Sequence, residues 1–151
     1  MTKLTRVLII VLLALAPTGA VFAGPVDEAS AVIDHWEAAY SANDVDAVVK
    51  LYAQDAILLG TTSPLLAEGT GPIRAYFANL PGSGNRVAIG ERRMVVLGDS
   101  AVLGTGFYEF TLIQDGKPVP TPARFTMVLV KRGSDWLIAH HHSSQRPKPP
   151  Q

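Results

Sequence analysis

Between residues 25 and 80 the apolar side chains recur at helical spacing. After Arg86 they come instead in long runs rich in Val, Ile, Thr, Phe and Tyr. The segment Pro81-Gly82-Ser83-Gly84 punctuates the switch. A change of period of this kind leaves few architectures open. Helices first and then a series of strands joined by tight turns imply an α+β fold, with the helices on one face of a mostly antiparallel sheet.

The helical half reads as three segments. Asp27 or Glu28 is placed to cap a helix after Pro25 that puts Val32, Ile33, Trp36 and Tyr40 on one face. Asn43-Asp44 restarts the pattern, and Val45, Val48, Val49 and Tyr52 form a second stripe. Residues 56–60 read as a short strand. Gly69 to Pro72 is a breaker before a third helix with Ile73, Tyr76, Phe77 and Leu80. Strands are expected over 87–97, 101–113, 121–132 and 136–144, turned at Gly98-Asp99-Ser100, Asp115-Gly116 and Gly133-Ser134. Gly98, Gly104 and Gly106 suit bulges in a strongly bent sheet. Three helices on such a sheet make a cone whose open mouth is a natural pocket for a small ligand.

A length of 151 residues fits one ordinary domain. Zero cysteine excludes a disulfide scaffold, a thiol nucleophile and a thiolate zinc site. A formal net charge of zero argues against nucleic acid as a partner, because phosphate binding needs a basic face. Lys3 and Arg6 precede ten apolar residues at 7–16, then Pro17 and Gly19, and small residues at Val21 and Ala23. This is the pattern of a cleavable signal peptide over residues 1–23. Ten helical residues span about 15 Å, half of a hydrocarbon core of roughly 30 Å. A secreted or periplasmic protein follows, with a domain over 24–146, a disordered tail at 147–151 and no membrane partner once the leader is removed.

The run Trp36-Glu37-Ala38-Ala39-Tyr40, followed by Leu51-Tyr52-Ala53 and Asp55-Ala56, resembles the helical half of the nuclear transport factor 2-like (NTF2-like) superfamily. Glu68-Gly69 and residues 73–80 are similar to the matching helix of the association (hub) domain of calcium/calmodulin-dependent protein kinase II. In residues 136–144, Trp136 is followed by His140, His142 and Ser144 at the spacing of that domain's last strand. Arg124, within Pro122-Ala123-Arg124-Phe125-Thr126, looks like the bacterial SgcJ/EcaC (DUF4440, SnoaL-like) relatives. The resemblance implies an NTF2-like cone, self-association as a homodimer or larger ring, and a cavity. Kinase activity and calmodulin binding are not expected to carry over. The positions matching the hub's pocket are Ile73, Glu109, Met127 and Ser143, and none keeps the hub residue.

His140 and His142 stand two apart on a strand and share one face. A metal would need further ligands, so no metal and no cofactor is expected. Arg124 in an otherwise apolar strand is either paired, with Glu109, or an anchor for an anionic group. Its neighbour depends on register. A two-residue turn at Gly133-Ser134 sets Arg124 opposite Ser143, and a three-residue turn sets it opposite Ser144, on the face of His140 and His142. Tyr40 is expected to reach the cavity with its hydroxyl. The expected ligand-binding set is therefore Arg124, His140, His142, Tyr40 and Glu109, and the ligand a small polar or acidic molecule. The alternative is a cofactor-free enzyme of the SnoaL or ketosteroid isomerase type, with Asp55, Glu109 or His142 as proton shuttle.

Overall fold

The structure is a computed structural model that describes residues 24–148. The expected leader, 1–23, and residues 149–151 of the expected tail lie outside the described residues. Helix α1, Pro25–Ser41, begins at Gly24 rather than at a side-chain cap, with Pro25 in its first turn. Asp27 accepts the Gly24 N–H at 3.3 Å. Its buried face is Ala29, Val32, Ile33, Trp36, Ala39 and Tyr40. Helix α2, Val45–Lys50, is capped by the Asp44 carboxylate, which accepts the Ala47 N–H at 2.9 Å.

Six strands follow in one sheet, β1 (Tyr52–Leu59), β2 (Leu66–Glu68), β3 (Arg86–Gly98), β4 (Ala101–Gln114), β5 (Lys117–Arg132) and β6 (Asp135–Gln145). Helix α3, Thr70–Tyr76, separates β2 from β3. The order β2-β1-β6-β5-β4-β3 is antiparallel except for the parallel pair β1–β6. The sheet curls around the helices without closing. This is the α+β cone expected from the change of period, with one strand not expected, β2, a third helix that ends at Tyr76 short of Leu80, and two strand starts to correct. Tyr52 does not end α2 but opens β1, where it pairs with Ile138. Strand β5 starts at Lys117, not at residue 121. Its first half pairs only with β4, since β6 joins at Ala123. Pro118, Pro120 and Pro122 fall at alternate positions there, so their missing N–H groups face the side without a partner strand.

The curl comes from bulges. Gly90 and Glu91 on β3 oppose Phe107 alone on β4. The Ile89 N–H beside this bulge is taken by the Glu37 carboxylate at 3.2 Å. A Cβ on Gly106 would stand 2.3 Å from the Glu91 carbonyl oxygen, so only glycine lets β3 and β4 approach here. Gly98 flanks a second register shift in β3, as its residue type suggested. The inner face carries Val102, Tyr108, Phe110, Phe125, Met127, Leu129, Trp136 and Ile138, packed on α1. No described helix covers the outer face.

Candidate functional site

The core stops short of the cone's mouth. There α1, the loop after β1, α3 and the inner sheet face enclose a cavity of about 400 Å³. Its deep wall is aromatic: Trp36 and Tyr40 from α1, Phe77 after α3, Tyr108 and Phe110 from β4. Tyr108 meets Phe110 edge-on at 4.7 Å and Tyr40 meets Phe110 edge-on at 5.3 Å, while Trp36 and Tyr40 stack at 5.4 Å. Its lip is polar, with Thr61, Asn79, Asn85, Gln114, Thr121 and Gln145. Tyr76 closes over Gly60, where a Cβ would fall 2.2 Å from the tyrosine ring. No Asp, Glu, Lys or Arg lines the cavity among the described residues.

Two hydrogen-bonded chains run through the wall. In one, the Trp36 indole N–H donates to the Tyr52 hydroxyl at 3.1 Å, and that hydroxyl stands 2.8 Å from His141 Nδ1. In the other, the Tyr108 hydroxyl donates to Ser143 Oγ, which also meets the Thr61 hydroxyl. Burial sets the protonation of these groups. His141, 1% exposed, is pushed down to about 3 by desolvation, with small contributions from His140 and His142. Desolvation raises the Tyr52 and Tyr108 hydroxyls, and takes Tyr40 up to about 12. All of these groups are neutral at pH 7. His141 Nε2 is the one buried side-chain polar atom without a partner among the described residues.

Of the residues expected to line the cavity, Tyr40 does so. Arg124, His140, His142 and Glu109 lie on the outer face instead, and Asp55 is exposed, 3.4 Å from Arg132. Both readings of the β5–β6 register are corrected together. The turn is the two-residue one, with Arg132 opposite Asp135, yet Arg124 is opposite Ser144. The difference is a bulge at Ala139: Ile138 pairs with Leu129, but His140 pairs with Val128. Before it, Trp136 and Ile138 point inward; after it, His141 and Ser143 do. The Arg–His grouping therefore exists, but outside. Arg124 Nε donates to Ser144 Oγ at 3.1 Å in a groove of about 510 Å³ shared with His142, Thr126 and Phe107. Glu109 faces Pro122 across the strands, so the expected Arg124–Glu109 pair is not formed. Desolvation, with His142 beside it, lowers His140. Among the described residues no three His, Cys, Asp or Glu side chains group together as a metal site would require.

Tyr108 went unnoticed in the sequence, and which of His140, His141 and His142 faces inward was left open by the strand register. A signal was available: Phe125, Met127 and Leu129 mark the inner face of β5, so Arg124 and whatever sits opposite it must lie outside. Of the positions matching the hub's pocket, Ser143 reaches the cavity, Ile73 and Met127 are core, and Glu109 is outside.

Comparison with known proteins agrees with this geometry. The family model for the SnoaL-like domain matches residues 29–147. No curated protein matches the chain significantly. Among solved structures, a Xanthomonas campestris protein named for the calcium/calmodulin-dependent protein kinase II association domain is 34% identical, with a TM-score of 0.75 over 85% of this chain and 95% of that one. The S. rosetta CaMKII hub is 21% identical, with a TM-score of 0.72 over 83% of this chain and 100% of that one. A ketosteroid isomerase-like protein from Erwinia carotovora atroseptica is 19% identical, with a TM-score of 0.69 over 84% of this chain and 100% of that one. The last two show likeness of fold.

Proposed function

Since the chain belongs to the SnoaL-like family of NTF2-like proteins, we propose that it is an exported, self-associating domain that binds one small uncharged molecule in the mouth of its cone. The cavity carries the proposal: about 400 Å³, aromatic at depth, with amides and hydroxyls at its lip. Such a lining suits a ligand with a flat apolar body and a few polar atoms. It does not suit an acid, because burying a carboxylate without a cation or a set of donors is costly. The acidic ligand expected from Arg124 is thus replaced by a neutral one. Acid–base catalysis has little support, since Asp55, Glu109 and His142 are all outside and His141 is too weak a base near pH 7.

Self-association is supported by the likeness to hub domains and by an outer sheet face that no described helix covers. Export rests on the pattern of residues 1–23.

Native mass spectrometry of protein recovered from the periplasm of an expressing cell tests the proposal. The expected result is a multimer of the chain lacking residues 1–23, carrying a neutral small-molecule adduct released on unfolding. Thr121→Trp, which fills the lip, should abolish the adduct without changing the multimer. A bare species that no member of a panel of neutral aromatic compounds stabilises against heat would refute the binding claim. A monomer would refute the assembly claim.

A further inference from the structure

The outer face of the sheet holds a second depression, separate from the cavity. It is a groove of about 510 Å³ beside the bulge of β3, and Arg92, Arg93, Arg124 and Phe107 line it. Arg146 lies over the Phe107 ring. These four arginines are not equivalent. Arg92 is spent on Asp34 and Arg93 on Glu91, each in an ion pair. Arg124 and Arg146 have no carboxylate partner among the described residues. Both are held against Phe107. Arg124 is its cross-strand neighbour, and its Nε–H donates to Ser144 Oγ at 3.1 Å, which orients the guanidinium and leaves its two terminal nitrogens to spare. The Arg146 backbone N–H donates to the Pro122 carbonyl at 3.0 Å, so the chain stays in line with β5 beyond Ser144, and Arg146 falls two residues on, along the same face. Its guanidinium stands 4.1 Å from the Phe107 ring centre. A guanidinium stacked on a ring keeps its N–H groups in plane and free for a further partner.

We propose that this groove binds the oxyanion of a small acid, a carboxylate or phosphoryl group, between the Arg124 and Arg146 guanidiniums beside Phe107. Two planar forks on one aromatic support match the paired oxygens of such a group. A concave site with an apolar wall concentrates their field, so the charges act more strongly there than on a convex surface. The charge balance agrees, because Arg92 and Arg93 are neutralised by their own partners while Arg124 and Arg146 are not. The carboxylate that opposes them is Glu109, exposed on the same face two residues along β4 from Phe107. This second site needs neither a ligand in the cavity nor self-association.

Phenyl phosphate, benzoate and benzamide share a ring and differ in charge. Each is titrated into the purified protein at constant ionic strength, with the Nε–H signals of Arg124 and Arg146 followed by NMR. The two anions should move both signals to saturation, and benzamide should not. The tighter of the two anions tells whether the group is a phosphoryl or a carboxylate. Benzamide that enters the cavity moves the Tyr40 ring signals instead, so the two sites are read apart. Arg124→Gln and Arg146→Gln should each weaken the anions about tenfold or more. Glu109→Gln should tighten them. Arg86→Gln, which removes an exposed arginine outside the groove, should leave them unchanged. An equal response of the arginine signals to benzamide, or an equal loss in Arg86→Gln, would overturn the inference, since neither needs this groove. Arginine signals that ignore both anions would overturn it as well. If Arg124→Gln then also splits the multimer, a carboxylate of a second copy fills the groove, and self-association stands without the small acid.

Discussion

A histidine walled in by Trp36, Tyr52 and the sheet ties folding to protonation. Unfolded, His141 titrates near 6.5; folded, near 3. Within that window the unfolded chain binds a proton that the folded one does not, so stability falls as pH drops from 6.5 toward 3. The loss between pH 7 and pH 5 is about 2 kcal/mol. Glu28, lowered chiefly by its bond to Trp136, acts only below its ordinary value of 4.5 and leaves this interval alone. Urea melts at the two pH values should show the drop in the parent chain and most of it missing in His141→Phe. Equal stability of the parent at pH 7 and pH 5 would contradict the burial argument. Part of this was readable beforehand. Alternation puts His140 and His142 on one side and His141 on the other. Which side is inner depends on a bulge at Ala139, and alanine carries no turn or bulge signature.

The elements themselves were more legible than their contents. Long runs of β-branched and aromatic residues gave the four strands of the second half almost to their ends. Strand β2 escaped, and two strand starts were misplaced, each for an identifiable reason. Leu51-Tyr52 continues the stripe of α2 in spacing, but the parallel partner β6 draws Tyr52 into the sheet, a long-range pairing that no window contains. The prolines at 118, 120 and 122 argue against a strand, and are tolerated because that stretch of β5 has a neighbour on one side only. Gly106, by contrast, announced its role. Gly106→Ala forces a Cβ onto the backbone of Glu91 and Arg92 and should cost about 1–3 kcal/mol. Thermal melts of Gly106→Ala and of Gly116→Ala would separate steric from conformational cost, since the turn glycine has φ of 74° and nothing within 4 Å of its Cβ position. If the two lost stability equally, close approach would not be the reason for glycine at 106.

At the scale of the whole molecule the sheet offers two unlike surfaces. Inside is a neutral aromatic hollow. Outside are Arg124, His142, Thr126 and Phe107, with Arg146 laid over the Phe107 ring at 4.1 Å. If copies associate through this outer face, Phe107→Glu should raise the dissociation constant about tenfold or more. The melting temperature of the separated chain should stay put. Sedimentation over a range of concentrations measures the first and calorimetry the second; an unchanged mass distribution would place the interface elsewhere. The sequence supplied the residues of both surfaces and assigned most of the polar ones to the wrong side, because an arginine beside histidines looks like a ligand site whichever way it faces. The facing is set at Ala139. The same letters on an unbulged strand would turn His140 and His142 inward and His141 outward, so one backbone irregularity decides which imidazoles the interior holds.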